Sequence, residues 1–306
     1  SASRHQRMTT WNLDIQTGWR FGLASIVVLV LLTVGLGVLI ALTPVSLLTF
    51  FLVLGGIVSL CAAAFIGYSL WGLLNAKYTM DRNTLVIQWG GYVHQIPMAE
   101  VKGVLEGAEL DEVRFNRVLR WPGHLVGQGS AAEIGPIFFY ASAPRQEQIV
   151  LQLDGIAYAI SPADRELFLE ALEERLEMGA TQDVEHEIAH PAFLDWDIWK
   201  DYLALGLLGS ALLLLSLLGA LLTWQYASLP AEIVLKVDVT GAPLLVGPPS
   251  RLAYLGLLGV LFTVVNGGLG LFFYRRRPML AYFFWSGLVL LLTSLWIAIL
   301  SILFNL

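Results

Sequence analysis

The chain has 306 residues, of which 57% are hydrophobic and only 14% are charged. An ordinary soluble domain carries about 25% charged residues, so this composition excludes a typical soluble globular protein. The apolar residues are also clustered, because no Asp, Glu, Lys, Arg or His occurs in residues 21–76, 202–231, 252–274 or 278–306.

These apolar windows predict an integral membrane protein, because about 20 apolar residues in a helix cross the hydrocarbon core of a bilayer. Pro44 lies in the middle of the longest window and divides it into a helical hairpin. The sequence therefore predicts five membrane-spanning helices, at residues 21–42, 46–73, 202–224, 252–274 and 279–303.

The distribution of Lys and Arg predicts the orientation of these helices, since basic residues are retained on the cytoplasmic side. Sixteen of the eighteen basic residues precede the first span, lie between the second and third spans, or form the run Arg275–Arg277. Lys236 and Arg251 are the two on the other side. We therefore expect a cytoplasmic N-terminus and an external C-terminus.

The resulting organisation has a soluble segment between two groups of spans. A cytoplasmic tail precedes the first hairpin, and an acidic juxtamembrane linker follows the soluble domain. In chain order, we predict a tail at 1–20, a transmembrane hairpin at 21–74, a cytoplasmic domain at 75–180, the linker at 181–201, and three transmembrane helices within 202–306 with an external loop at 225–250.

The soluble segment is predicted to contain about seven short strands followed by one helix. "KYTMD" and "TLVIQW" alternate apolar and polar residues around Arg82-Asn83, and Gly90-Gly91 marks a second tight hairpin. An amphipathic helix follows, with Ser161 as the predicted N-cap and Gly179 just beyond its end. Short strands followed by one such helix predict a small barrel with the helix at one end.

The same segment resembles a known family. "YTMDRNTLVIQWGGYVHQIPMAEVKGV" followed by "VLQLDGIAYAISPADRELFLEAL" is similar to the bacterial pleckstrin-homology (PH-like) family over residues 77–178, and the insertion 109–133 fits it least. The resemblance implies an α+β protein of the bacterial inner membrane, with a cytoplasmic PH-like β-barrel capped by a C-terminal helix. It implies no established enzymatic activity.

A second resemblance lies between the third and fourth spans. "SLPAEIVLKVDVTGAP" is similar to a domain of unknown function with a conspicuous loop between two helices. The positions that match are Leu229, Pro230, Ile233, Gly241 and Pro243. Lys236 and Asp238 stand where that family has His and Asn, so a function of those polar positions is not carried over.

His186, Glu187 and His190 form the pattern H-E-x-x-H, which on a helix binds zinc and supplies a general base for peptide hydrolysis. The flanks are acidic rather than apolar, and Pro191 disfavours helical geometry at His190. We interpret the pattern as a chance occurrence in an acidic linker and assign no catalytic, cofactor or metal residues. A zinc-dependent membrane protease is retained as an alternative hypothesis.

Arg114, Arg117 and Arg120 alternate with apolar residues and could contact lipid or an acidic partner. The pattern favours a solvated or intramolecularly paired arginine face over such a binding surface. The first hairpin loop, at residues 81–83, is short and nearly neutral, whereas phosphoinositide-binding PH domains have a basic loop there. Residues 75–201 contain 21 acidic and ten basic residues, a formal charge of −11. This charge argues against specific phosphoinositide binding and against nucleic-acid binding.

The spans lack ionisable residues, which argues against a transporter or channel. Every histidine lies outside them, so no haem is expected within the membrane. Small residues such as Gly206, Gly209 and Gly259 instead predict close helix packing, within the chain or with other membrane proteins. The leading hypothesis is a non-enzymatic scaffold or accessory subunit that needs no cofactor, and the alternatives are a lipid or ligand sensor and the zinc protease.

Overall fold

The structure is a computed structural model that describes residues 8–110, 112–179, 181, 184, 186–189, 197–238 and 243–304. The described residues divide into two compact units. The first lies within residues 1–31 and 59–191, and the second within residues 32–58 and 192–306.

Five helices are long and apolar enough to cross a membrane, as the sequence predicts. A sixth, shorter helix follows the strands of the first unit. The helices are α1 (Gln16–Leu42), α2 (Leu47–Leu74), α3 (Arg165–Met178), α4 (Tyr202–Tyr226), α5 (Ser250–Tyr274) and α6 (Pro278–Phe304).

The break between α1 and α2 lies at Pro44, where the sequence predicts it. The hydroxyl of Thr49 donates to the carbonyl of Pro44 at 2.8 Å and accepts from the backbone N–H of Ser46 at 3.3 Å, so the first turn of α2 holds the loop that precedes it. Apolar side chains of α1, such as Val28 (63% exposed) and Leu31 (65% exposed), point outward. Exposed apolar surface of this extent indicates contact with membrane lipid.

The remaining elements are strands. They are β1 (Thr9–Trp11), β2 (Lys77–Met80), β3 (Thr84–Trp89), β4 (Tyr92–Pro97), β5 (Gly103–Glu106), β6 (Arg114–Trp121), β7 (His124–Ala131), β8 (Gly135–Ala141), β9 (Ile149–Gln152), β10 (Ala157–Ile160), β11 (Glu187–Ala189), β12 (Ile233–Val237) and β13 (Pro243–Gly247).

The first sheet has the order β1-β2-β3-β4-β11 and is antiparallel throughout. Its two central hairpins turn at Arg82-Asn83 and at Gly90-Gly91, as the sequence predicts. Its two edge strands come from outside the predicted domain. β1 precedes the first membrane helix, and β11 lies in the acidic linker.

The second sheet has the order β5-β9-β10-β8-β7-β6. β10 pairs antiparallel with β9 and parallel with β8, so Ala157 lies opposite both Gln152 and Ile137. β6 and β7 form a long hairpin within residues 109–133, the part of the chain that fits the family resemblance least. This hairpin extends the sheet beyond β8.

The prediction of a closed barrel is wrong. In the described part of the chain, no strand pairing joins the first sheet to the second. Closure would require the outer side of β2 or of β4 to pair with a strand of the second sheet. Those sides are already hydrogen bonded to β1 and β11, so the domain consists of two separate sheets with a shared core.

The helix α3 packs on this core through Phe168 and Leu172, both fully buried. It starts later than the sequence suggests, because Asp164 rather than Ser161 is its N-cap residue. The hydroxyl of Ser161 instead accepts from the backbone N–H groups of Ser142 (2.7 Å) and Ala143 (3.3 Å). Ser161 therefore joins two loops of the second sheet and does not cap the helix.

The ends of α1 and α2 belong to the same core as the sheets. Leu73 of α2 is fully buried among residues of β2 and β3. A Cβ added at Gly18 of α1 would collide with the carbonyl oxygen of Gly123, in the turn between β6 and β7. A Cβ at Gly90, where φ is +58°, would lie 2.9 Å from the Cα of Gly72 in α2. The membrane hairpin and the two-sheet domain are therefore packed backbone against backbone.

The second unit contains α4, α5 and α6, with the hairpin β12–β13 between α4 and α5, which the sequence analysis did not predict. Asp201 caps α4, because its carboxylate accepts from the N–H groups of Leu203 and Ala204 and from the hydroxyls of Tyr274 and Tyr282. These bonds, that of Tyr282 foremost, lower the pKa of Asp201. One charged side chain thus connects all three helices.

The packing of α1 on the two-sheet domain predicts opposite behaviour for two glycines of that helix. Gly18→Ala should lower the melting temperature of the purified protein, because overpacking costs about 1–3 kcal/mol where the backbone cannot move away. Gly35→Ala is the matched control, since no described residue outside α1 lies within 4 Å of its Cβ position and alanine favours the helix. Equal melting temperatures for the two variants would contradict the close packing.

Candidate functional site

The described part of the H-E-x-x-H pattern, residues 186–189, does not form a helix. Glu187 lies in β11, which pairs with β4, so Ile188 lies opposite His94. Successive side chains of a strand point to opposite faces, whereas a zinc protease needs both imidazoles on one face of a helix. His186 is described and half-buried, and His190 lies outside the described residues. Within the described ranges, no three His, Cys, Asp or Glu side chains form a group suited to a metal ion.

His186 is instead the outer member of a hydrogen-bonded chain that begins in the core. The imidazole of His94 is fully buried. Its Nε2 lies 2.7 Å from the hydroxyl of Tyr140, and its Nδ1 lies 3.2 Å from the hydroxyl of Tyr158. Three strands, β4, β8 and β10, therefore converge on one imidazole, and both of its nitrogens are satisfied.

The chain continues to the surface through Tyr158. Its hydroxyl lies 3.0 Å from Nε2 of His186, and Nδ1 of His186 lies 3.2 Å from a carboxylate oxygen of Glu100. Glu100 ends a short 3-10 turn after β4. We call these five residues, Tyr140, His94, Tyr158, His186 and Glu100, the polar chain.

With Glu100 ionised and both imidazoles neutral, one assignment of donors fits the polar chain. A carboxylate only accepts, so Nδ1–H of His186 donates to Glu100 and its Nε2 accepts from the hydroxyl of Tyr158. The Tyr158 oxygen then accepts from Nδ1–H of His94, whose Nε2 accepts from the hydroxyl of Tyr140. Each imidazole donates once and accepts once, so no ring nitrogen is unpaired.

Burial keeps the two phenols of the polar chain in their neutral, donating form. It raises the pKa of Tyr158, and the negative charge of Glu100 raises it further. Burial also raises the pKa of Tyr140, with smaller contributions from Tyr92 and Tyr158. Both phenols therefore donate hydrogen bonds within the polar chain. Through His186, the polar chain links the segment that carries β11 to β10 and to the turn after β4.

The arginine pattern of the sequence falls on β6, an edge strand of the second sheet. Arg114, Arg117 and Arg120 are exposed. No carboxylate of a described residue lies within ion-pair distance of them, whereas Arg165 pairs with Glu106 at 2.7 Å. The pairing of β6 with β7 is interrupted between Phe115 and Arg117. The structure thus presents a bulged, basic edge.

The comparison with protein families identifies the central segment. Residues 76–176, from just before β2 to near the end of α3, match the family model described as bacterial PH domain. The chain contains a bacterial PH domain. No curated protein and no solved structure matches the chain. The resemblance of the loop between α4 and α5 to a second family stays a prediction.

The match ends before β11 and begins after β1, so the PH domain of this chain is extended by a strand at each edge of its first sheet. The inner members of the polar chain lie within the matched segment and His186 lies outside it. The sequence analysis did not predict the role of His94, because its partners Tyr140 and Tyr158 are 46 and 64 residues away. No local pattern connects residues at such separations.

Variants at two adjacent positions, His186→Ala and Glu187→Gln, distinguish a structural role of the polar chain from zinc-dependent catalysis. His186→Ala removes a bond to a partly exposed carboxylate, worth about 1 kcal/mol, so the amides of β11 should exchange with deuterium about fivefold faster. Glu100→Ala should act in the same direction. Glu187→Gln is the control, because its exposed side chain makes none of these bonds.

The opposite pattern would support the protease hypothesis. A peptidase activity that Glu187→Gln abolishes, with deuterium exchange of β11 unchanged in all three variants, would contradict the fastening role. Hydrogen exchange followed by mass spectrometry measures β11 and an internal reference in the same sample, with β2 and β3 as the reference because neither strand pairs with β11.

Proposed function

We propose that this protein is a non-enzymatic accessory subunit or scaffold of the bacterial inner membrane, which holds a PH domain at a fixed position for binding other membrane proteins. One observation carries the proposal: the ends of α1 and α2 are part of the core of the PH domain. A domain on a flexible tether suits recruitment from a distance, whereas a domain packed on its own membrane hairpin suits a fixed platform.

The attachment of the flanking segments supports a fixed platform as well. β1 is followed by α1 after four residues, and β2 follows α2 after two. The polar chain fastens β11 at the opposite edge of the first sheet, within the segment that leads towards α4. The PH domain is thus joined directly to α1 and α2, and the polar chain adds a contact to the segment that carries β11.

The charge distribution supports a cytoplasmic position of the PH domain and of the N-terminus, with the C-terminus external. Arg275, Arg276 and Arg277 lie exposed at the turn between α5 and α6. In this orientation they share the cytoplasmic side with the PH domain, which agrees with the retention of basic residues there. The hairpin β12–β13 then lies on the external side.

The basic edge on β6 is our candidate for the partner-binding surface. Like the other edge strands, β6 pairs on one side only, and among the edge strands of the two sheets it is the one that carries exposed arginines. The exposed guanidinium groups of Arg114 and Arg117 disfavour pairing with a second copy of the same strand, because like charges repel. They favour an acidic surface of another protein, and charge complementarity mainly provides specificity and speed of association.

The membrane helices offer a second candidate surface for binding another protein. Among the described residues, nothing outside α4 lies within 4 Å of the Cβ positions of Gly206 and Gly209, whereas Gly259 and Gly270 of α5 pack on side chains of the same unit. Exposed glycines on a membrane helix leave its backbone open to close approach by a second helix. This pattern supports association with other membrane proteins without naming them.

Charge reversal on β6 tests the proposal. The chain is expressed at its native level, extracted in mild detergent and resolved by native electrophoresis, and co-migrating proteins are quantified by mass spectrometry. We expect a stoichiometric partner that is lost, by about tenfold or more, in the double variant Arg114→Glu/Arg117→Glu, since reversing two charges turns attraction into repulsion.

The matched control reverses two charges on another exposed surface of the same domain. Glu173→Lys/Glu174→Lys on α3 changes the net charge by the same amount in the opposite sense, and both side chains are exposed. The control should retain the partner. A wild-type chain that migrates alone at its monomer mass would contradict the proposed function.

A further inference from the structure

A cavity of about 800 Å³ lies where the turn between β6 and β7, the loop after β8 and the first turn of α1 meet. Its wall combines basic and aromatic side chains, and no Asp or Glu is among the residues that line it. The residues that matter for its chemistry are Thr17, Phe115, Arg120, Trp121, His124 and Arg145.

Two arginines face this cavity without an acidic partner. No carboxylate of a described residue lies within ion-pair distance of Arg120 or Arg145, although the surrounding segment 75–201 has a formal charge of −11. The guanidinium of Arg120 lies over the ring of Phe115, 5.6 Å from its centroid. Stacking of this kind leaves the N–H groups in the guanidinium plane free to bind an oxyanion.

A buried aromatic pair forms the inner wall. The rings of Trp121 and His124 stack 3.8 Å apart, and His124 is 3% exposed. The polar nitrogens of both rings are enclosed by the protein and are not exposed to the cavity, so the pair contributes an aromatic wall and the arginines contribute the charged groups.

Burial lowers the pKa of His124 to about 4, and the nearby backbone carbonyls of Leu119 and Ser69 offset only part of this shift. The imidazole is therefore neutral at physiological pH and retains one N–H donor. The positive charge of the cavity comes from Arg120 and Arg145.

The cavity lies at the end of a membrane-spanning helix. Thr17 lines it, and the close approach of Gly18 to Gly123 fixes the turn between β6 and β7 on the first turn of α1. The uninterrupted apolar run of α1 begins at Phe21, four residues after Thr17. Phosphate groups of membrane lipids lie at this depth, just outside the hydrocarbon core.

We propose that this cavity binds the phosphate group of an anionic phospholipid, with Arg120 and Arg145 as its charged ligands and the Trp121–His124 pair as its inner wall. The site is distinct from the first hairpin loop of the PH domain. In that loop, the guanidinium of Arg82 donates to the carbonyls of Met178 (3.0 Å) and Gly179 (3.1 Å). Its hydrogen bonds are therefore made to the end of α3.

The test uses the full chain, purified in a neutral detergent and titrated with short-chain phosphatidylglycerol or phosphatidylcholine, with tryptophan fluorescence as the signal. We expect phosphatidylglycerol to bind about tenfold more tightly than phosphatidylcholine. The double variant Arg120→Gln/Arg145→Gln should weaken phosphatidylglycerol binding by about tenfold or more, because two charge-assisted contacts are lost. The control Arg114→Gln/Arg117→Gln removes the same charge from β6 outside the cavity and should change the affinity less than about twofold.

Three outcomes would overturn the proposal: equal loss in both double variants, no preference over phosphatidylcholine, or unchanged binding in Arg120→Gln/Arg145→Gln. An unchanged melting temperature of each variant shows that the fold is intact. Inorganic phosphate serves as a competitor that identifies the source of the anion. If millimolar phosphate does not displace phosphatidylglycerol, the bound phosphate group belongs to the lipid. If it does displace the lipid, and Arg120→Gln/Arg145→Gln also weakens lipid binding, the same site takes a soluble phosphate.

Discussion

The close backbone contact between the membrane hairpin and the PH domain is the constraint on which the rest of the first unit depends. Gly18 meets Gly123 on one side, and Gly72 meets Gly90 on the other. Any side chain at Gly18 would push the β6–β7 turn away from α1, and that turn forms part of the basic cavity. The same contacts determine where the basic edge on β6 stands relative to α1.

The second constraint is the polar chain, in which the buried His94 makes hydrogen bonds to Tyr140 and Tyr158 inside the PH domain. A buried imidazole is costly when it is unpaired, so His94 requires Tyr140 and Tyr158 in defined positions. Tyr158 in turn requires His186 from outside the PH domain match. The chain of donors thus gives β11 a specific partner on the edge of β4, which three residues of strand pairing alone would hold weakly.

Sequence patterns predicted the parts of this structure that depend on neighbours along the chain. The apolar windows located five helices, and the turn residues Arg82-Asn83 and Gly90-Gly91 located two hairpins. The strands β1 and β11 were not predicted, because three residues are too few for a recognisable alternation and their pairing is with distant strands. The closed barrel was wrongly predicted because closure depends on pairing between strands that are distant along the chain, and no such pairing joins the two sheets in the described residues. The cavity likewise depends on Arg120 and Arg145, which are distant along the chain and adjacent in space.

The distance between a membrane helix and the PH domain tests the central claim most directly. Cys61, the single cysteine, is exposed on α2, and Glu173→Cys adds a second site on the exposed face of α3. With spin labels at both positions in lipid nanodiscs, the account predicts one narrow distance distribution, which Gly18→Val broadens. A broad or multiple distribution in the otherwise unchanged protein would show that the PH domain moves freely on its membrane hairpin, and would contradict the fixed platform.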